Sequence, residues 1–415
     1  MEDSCTWTLV ILLILYVILG AAIAVMNRFI YIDNTRELSF SRDGFVNLLM
    51  FFSEISGIPL YYILLYLAKK KAKIQLTLDE RDQTSDAGYF EDDEIKLSKI
   101  KKLWLQGSPA LLDLLASFFG SFATILLPTT TYIMLRGMCL IFITFLISKY
   151  VMVFKHLWDH YIAIFIAIVG FILVIISLFV GENSKYEYDT EYIVFINIIG
   201  IEFIIVSTIF QSTQFVLEQK FMRKYLFHPF LFIGIEGVVG FVVNIILCII
   251  FYNIKCSTAN GNIWADICLK DDNGVLRLEN IIATLKQVFS NKIKIILVVF
   301  SIICIGGYNI IGICINKYGG AMTRSVIDNF KSFLVWIFFW FIWNQGGLKE
   351  MYDWFVLTAL ILLLISIIIY FGPFRIDEKI EIRRKIKDIT LRDDFVGDIK
   401  LSSVNNISGS EQIEF

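Results

Sequence analysis

Long apolar runs, separated by short polar and charged intervals, recur along most of this chain. Ten of them fall near residues 7–26, 45–68, 109–127, 129–148, 158–180, 192–215, 228–253, 293–316, 322–343 and 353–371. A helix needs roughly 20 apolar residues to cross about 30 Å of hydrocarbon, so each run predicts one membrane-spanning helix. The expected fold is therefore an all-α integral membrane bundle of ten transmembrane helices. Composition agrees, since 57% of the 415 residues are hydrophobic and only 18% are charged, an oilier balance than a soluble domain carries. The first run follows Met1, Glu2 and Asp3 rather than a basic region and shows no small-residue cleavage pattern before Asn27. It predicts a retained span rather than a removed signal.

Basic residues between the spans predict the orientation. Lys69, Lys70, Lys71, Lys73, Arg81, Lys96, Lys99, Lys101 and Lys102 follow the second span, and Arg375, Lys379, Arg383, Arg384, Lys385 and Lys387 follow the tenth. The positive-inside rule places both groups in the cytoplasm, and an even number of spans then places both termini there. The loop 69–108 contains an acidic insert, Asp79 to Glu94, too charged and too poor in aliphatic residues to fold alone. The tail 375–415 reads likewise as a solvated segment, and its Asn406 sequon would lie on the cytoplasmic side, away from glycosylation. The longest lumenal connection, 254–292, holds Cys256 and Cys268, which either bridge in an oxidising compartment or stay free thiols. Its later part, Val275 to Ser290, has apolar residues at helical spacing and predicts a helix lying on the membrane surface or packed over a pore mouth.

Dividing the chain near Gly181 to Glu191 leaves five spans on each side, 1–181 and 182–374. An odd number per half forces the halves into opposite orientations, the plan of two inverted five-helix repeats. The fourth span of each half carries charge: Arg136 in the first, and Arg324, Asp328 and Lys331 in the second. An ionisable group in hydrocarbon costs several kcal/mol unless it faces a cavity or a partner, so such residues mark a pathway by default.

Two helical stripes stand out. Gln211, Gln214 and Glu218 are spaced i, i+3, i+7, as are, at i, i+4, i+7, Arg324, Asp328 and Lys331. Asp328 can pair with either basic neighbour, which leaves one positive charge over on that face, and Arg136 adds a second. Arg136, Gln211, Gln214, Arg324, Asp328 and Lys331 are thus the expected solute contacts, suited to an anionic or phosphate-bearing solute that guanidinium groups grip as a fork. Glu54, Asp113, Glu202 and Glu218 are expected to serve coupling or gating, with Glu202 turned away from Gln211 toward another partner. Glu218 and Glu236 sit toward the expected membrane borders. The same charges could instead lock helices together, as in a structural or scaffolding membrane protein.

Other classes find no support in the residues. No Gly-rich phosphate loop ending in Lys and Ser or Thr is present, which argues against an ATP-driven pump. The three histidines, His156, His160 and His228, lack the accompanying ligands of a metal site, so no metal, cofactor or enzymatic chemistry is expected. The partners implied are a small-molecule solute and the lipid bilayer, with a homodimer left open and no nucleic acid.

Short motifs sharpen this reading. VLEQKF (Val216 to Phe221), His228-Pro229 and EGVVGF (Glu236 to Phe241) occur in order with FFSEIS around Glu54, PALLD (Pro109 to Asp113), MLRG (Met134 to Gly137) and MTRSVIDNFKSFLVW (Met322 to Trp336). Together they resemble the F branch of solute carrier family 35, in the drug/metabolite transporter superfamily, nearest to a lysosome-associated member. The resemblance implies ten helices in two inverted repeats and residence in an endomembrane, lysosome or vacuole before Golgi. It also implies that Glu54, Asp113, Arg136, Gln214, Glu218, Glu236, Thr323, Arg324 and Asp328 occupy the family's polar positions. The superfamily includes nucleotide-sugar exchangers and chloroquine-resistance transporters, and the cysteine-bearing lumenal loop resembles the latter. Secondary transport of an anionic or nucleotide-linked solute by alternating access is the expected function, with export of cationic or peptide solutes as the alternative. The acidic insert and Glu202 depart from the family pattern.

Overall fold

In the computed structural model, residues 2–31, 41–79, 98–127, 129–152, 158–181, 190–255, 269–270, 276–277, 281–290, 292–338 and 354–371 are described. They form α1 (Glu2–Tyr31), α2 (Ser41–Glu54), α3 (Gly57–Asp79), α4 (Lys99–Leu126), α5 (Thr129–Met152), α6 (Trp158–Gly181), α7 (Thr190–Lys224) and α8 (Pro229–Asn253). After these come α9 (Ile281–Ser290), α10 (Lys292–Tyr318), α11 (Ala321–Phe338) and α12 (Trp354–Phe371). Among the described residues, seven stretches are long and apolar enough to cross a membrane: Gly44–Lys70, Thr131–Met152, Trp158–Val180, Val194–Lys224, Pro229–Asn253, Lys292–Tyr318 and Trp354–Phe371. The apolar part of α1, Val10–Met26, is shorter. Charge explains why α11 is not among the seven, because Arg324, Asp328 and Lys331 fall within its 18 residues. The Asp79 to Glu94 insert beyond Asp79, the tail 375–415, and Cys256 and Cys268 lie outside the described residues.

The outside of the bundle is apolar. Phe165, Ile249, Ile303 and Ile368 are each at least 60% exposed. Such a surface suits lipid rather than water. Inside, the largest apolar cluster joins α5, α6, α7, α11 and α12 through residues such as Met134, Leu135, Val174, Ile204, Val326 and Leu363. The neighbouring pairs are α1 with α10 and α11, α2 with α8 and α10, α4 with α7 and α8, α5 with α6, α7 and α11, α6 with α12, and α11 with α12.

Three local features differ from the sequence expectation. The second predicted span is interrupted at Ile55 and Ser56, between α2 and α3. Pro59 has no N–H to give the Ile55 carbonyl, which accepts instead from Ile58 N at 3.0 Å, so the ladder tightens by one residue there. Helix α4 begins ten residues before Pro109, the expected start, and Pro109 lies within it. The Leu105 carbonyl that Pro109 leaves without its i+4 donor receives a long bond from Ser108 Oγ, 3.5 Å. Finally, of the predicted helix from Val275 to Ser290 the described helical part is Ile281–Ser290, while Leu276 and Arg277 pair antiparallel with Leu269 and Lys270. Arg277 holds that segment against the end of α8, donating to the Tyr252 carbonyl at 2.8 Å and stacking 4.2 Å from its ring. Helix α9 then packs Val288 against Phe45 and Val298.

Candidate functional site

One stripe of α7 organises the polar interior. Ser207, Gln211, Gln214 and Glu218 are spaced i, i+4, i+7, i+11, and each meets a different helix. Ser207 Oγ donates to the Ala116 carbonyl of α4 at 2.6 Å, and Gln211 Oε1 accepts from Arg136 Nη2 of α5 at 2.8 Å. Gln214 Nε2 donates to Glu236 Oε1 of α8 at 3.0 Å. Glu218 Oε2 accepts from Asn316 Nδ2 of α10 at 2.6 Å and Arg324 Nη1 of α11 at 2.8 Å.

The Arg324–Glu218 pair is positioned from several sides. The α10–α11 connection turns at Gly320, whose φ of +99° favours glycine. Helix α11 is then capped across the bundle, Ala321 N donating to Gln219 Oε1 at 2.8 Å. One turn on, the Arg324 guanidinium lies against Gly312, where a Cβ would come within 3.0 Å of Nε and Nη2, and 4.0 Å from the Phe215 ring. Both members of the pair are buried. Such a pair is expensive to desolvate and far more expensive to break.

Asp328 and Lys331 form a second fixed pair at 2.7 Å. Asp328 Oδ1 also accepts from Tyr16 OH at 3.2 Å and from Tyr308 OH, while Lys331 Nζ donates to Tyr308 OH at 2.9 Å. The two tyrosine rings stack with centroids 4.3 Å apart, tying α1 and α10 to α11.

These pairings correct the expected positive surplus. Arg324 is neutralised by Glu218 and Lys331 by Asp328, so Asp328 does not choose between its own neighbours. Arg136 differs, because its bonds go to two neutral groups, Gln211 and Tyr132 OH at 2.8 Å. Among the described residues no carboxylate lies within ion-pair distance of it. Three basic side chains thus share this interior with five carboxyl groups: Glu54, Asp113, Glu218, Glu236 and Asp328.

The remaining carboxyl groups gather beside the α2–α3 break. Helix α8 comes so close there that a Cβ on Gly237 would lie 2.7 Å from Glu54 Cβ, 2.8 Å from Ile55 N and 2.9 Å from the Phe51 carbonyl. Glu54 and Glu236 are therefore neighbours across the α2–α8 crossing. Glu54 Oε1 accepts from Asn309 Nδ2 of α10 at 2.6 Å. Asp113 from α4 is an electrostatic neighbour of both and of Glu218.

Of the residues singled out from sequence, Arg136, Gln211, Gln214, Glu218, Arg324, Asp328, Lys331, Glu54 and Asp113 converge on this interior. Glu202 does not, being exposed on α7. Glu218 and Glu236, read as near the borders, are each only 1% exposed. Helix α7 continues helical to Lys224, well past the apolar run that set the border. Asn309, Asn316, Tyr16, Tyr308 and Tyr132 were missed. Asn309, Gly312 and Asn316 at i, i+3, i+7 in the eighth apolar run carry the same stripe signal that marked α7 and α11.

No family model matches this chain. Solute carrier family 35 member F6 of Rattus norvegicus is 28% identical over 230 residues, 55% of this chain and 57% of that protein. The protein of the same name from Homo sapiens is 27% identical over 228 residues, with the same coverage. An uncharacterized protein of Schizosaccharomyces pombe is 25% identical over 234 residues, 55% of this chain and 63% of that one. The match thus spans somewhat more than half the length of these curated relatives. They bear out the resemblance to the F branch of solute carrier family 35. A solved crystal structure is similar over 88% of this chain and 96% of its own at 12% identity, with a TM-score of 0.49, too distant a likeness to argue from.

Proposed function

We propose that this chain is a secondary transporter, not an enzyme, that moves a small organic solute across an endomembrane by alternating access. The observation that carries the reading is Arg136. A guanidinium kept only to lock helices gains most from a buried carboxylate, as Arg324 does with Glu218. Arg136 is hydrogen-bonded to a glutamine and a tyrosine instead, with Asp113 and Asp328 as electrostatic neighbours rather than bonded partners, so its guanidinium has no bonded counter-ion among the described residues and can answer to a group that arrives from outside. An anionic or phosphate-bearing solute supplies oxygens in the geometry a guanidinium binds best. The relatives' name, solute carrier, supports transport as the use of that contact.

Two inverted five-helix repeats are supported by the way the helices pack. Take the ten spans as α1, α2 with α3, α4, α5, α6, α7, α8, α10, α11 and α12, and exchange the first five for the last five. The pair α4–α7 then becomes α10–α1, α5–α7 becomes α11–α1, α4–α8 becomes α10–α2 and α5–α6 becomes α11–α12, all of them real neighbours. The pairs α2–α8, α5–α11 and α6–α12 map onto themselves. Rocking of the two halves about such self-paired contacts is the motion alternating access needs. The basic residues of 69–108 and 375–415 support cytoplasmic termini.

A second reading, a cationic solute, is favoured by the excess of carboxyl groups over basic ones in the same interior. Thermal unfolding of the purified protein with nucleotides, nucleotide sugars, organic acids and cationic amines separates the two. A solute at a hundred times its dissociation constant stabilises the folded state by about 2.7 kcal/mol. The expected result is stabilisation by an anionic compound that disappears in Arg136→Gln while that variant keeps its ligand-free midpoint. Stabilisation by an amine, unchanged in Arg136→Gln, would favour the cationic reading. An Arg136→Gln protein that is merely unstable, with no ligand effect in either form, would make Arg136 structural.

A further inference from the structure

We propose that Glu54 and Glu236 form a proton-binding site at the α2–α8 crossing, separate from the arginines. Hydrogen-bond bookkeeping carries the argument. Each carboxyl group has one oxygen occupied by a side-chain amide: Asn309 Nδ2 on Glu54 Oε1, and Gln214 Nε2 on Glu236 Oε1. The second oxygen of each, Glu54 Oε2 and Glu236 Oε2, is buried without a partner among the described residues, and so is the Gln214 carbonyl oxygen. Glu54, Glu236 and Gln214 are 3%, 1% and 5% exposed. Three buried acceptors with no donor are a costly arrangement, whereas a carboxylic acid group is itself a donor. Adding one proton to an Oε2 turns an unpartnered acceptor into an O–H, removes one negative charge from hydrocarbon, and breaks no other bond. The unpartnered Gln214 oxygen belongs to the amide already bonded to Glu236 and is an acceptor for such a donor.

The charged surroundings point the same way. Asp113 from α4 and Glu218 from α7 face the pair as like charges, and α10 offers only the neutral Asn309. Arg324 from α11 also faces Glu54 but is bonded to Glu218. Several carboxylates in one dry site cannot all stay ionised without counter-charge. A divalent cation is disfavoured as that counter-charge, because among the described residues no three acidic, histidine or cysteine side chains converge to hold a metal ion. Repeat exchange adds a further point. Glu54 lies on the second span and Glu236 on the seventh, so the swap that maps the packing onto itself exchanges the two spans that carry them. A proton site at that crossing is placed to answer to both halves, and its use as the coupling site rests on the transporter reading.

Infrared difference spectroscopy of the reconstituted protein in light and heavy water reads the protons without any solute. The expected spectrum at neutral pH contains a deuterium-sensitive protonated-carboxyl stretch, weakened in Glu54→Gln and in Glu236→Gln. Both variants are expected to keep the parent thermal midpoint, since a glutamine amide imitates a neutral carboxyl donor. A band unchanged in both variants, or a large drop in their midpoints, overturns the site. Proteoliposomes loaded with a pH dye then test the coupling separately, using whichever compound stabilises the protein. Proton movement with solute that is lost in both variants while ligand stabilisation persists supports it. Solute movement without protons overturns the coupling role, and no solute movement at all sinks the transporter reading while leaving the infrared result to stand.

Discussion

Glu218→Gln is expected to lower the stability of the folded protein by about 3–5 kcal/mol, the penalty for stripping one partner from a buried ion pair. The loss arises less from the missing attraction than from the Arg324 guanidinium left behind, 5% exposed, pressed on Phe215 and Gly312 with its Nε already unpartnered. The glutamine oxygen can still accept from Asn316, so what the substitution removes is the charge opposite Arg324. Replacing both charges by apolar side chains of similar size, as in a Glu218→Met, Arg324→Met double variant, is expected to recover most of the loss, because no charge is then stranded. Thermal unfolding followed with a thiol-reactive dye measures this directly, since Cys139, Cys248 and Cys304 are buried free thiols. A single variant with an unchanged midpoint, or a double variant no better than the single, would show that this pair does not hold the helices together.

Gly237→Ala is the second large effect, with an expected cost at or above about 3 kcal/mol, the upper end for an overpacked core. The added methyl would meet Ile55 N and the Phe51 carbonyl below 3.0 Å, and backbone at a helix end cannot rotate away as a side chain can. Separation of α2 from α8 would also part Glu54 from Glu236. Gly307→Ala is the control, because its Cβ would approach only the Leu19 Cδ1 methyl, at 3.1 Å. The dye assay should rank Gly237→Ala far below Gly307→Ala, and equal midpoints would mean that the α2–α8 contact is looser than its geometry.

The two effects show where sequence reasoning reached and where it stopped. Stripe spacing in the ninth apolar run predicts Arg324, Asp328 and Lys331 as one face, and α11 buries Arg324 and Asp328. Spacing along one helix does not reveal who stands opposite, so the expected surplus of positive charge disappeared once Glu218 and Asp328 took their partners. Glu236 reads from the sequence as near a membrane border, yet it is among the most buried charged residues. The interruption between α2 and α3 had a local signal in Gly57 and Pro59 that the length of the apolar run concealed.

What the sequence by itself determined is the number and rough extent of the apolar runs, the polar stripes on α7 and α11, and the residues that make lipid the natural surroundings. Those follow from the period of a helix and the cost of a polar group in hydrocarbon, which act along one segment at a time. Only the tertiary structure decided that Arg324 belongs to Glu218, that Arg136 is hydrogen-bonded to neutral groups, and that Glu54 and Glu236 meet across a glycine. Those outcomes depend on which helices approach and how closely, a distance fixed by packing between segments up to hundreds of residues apart.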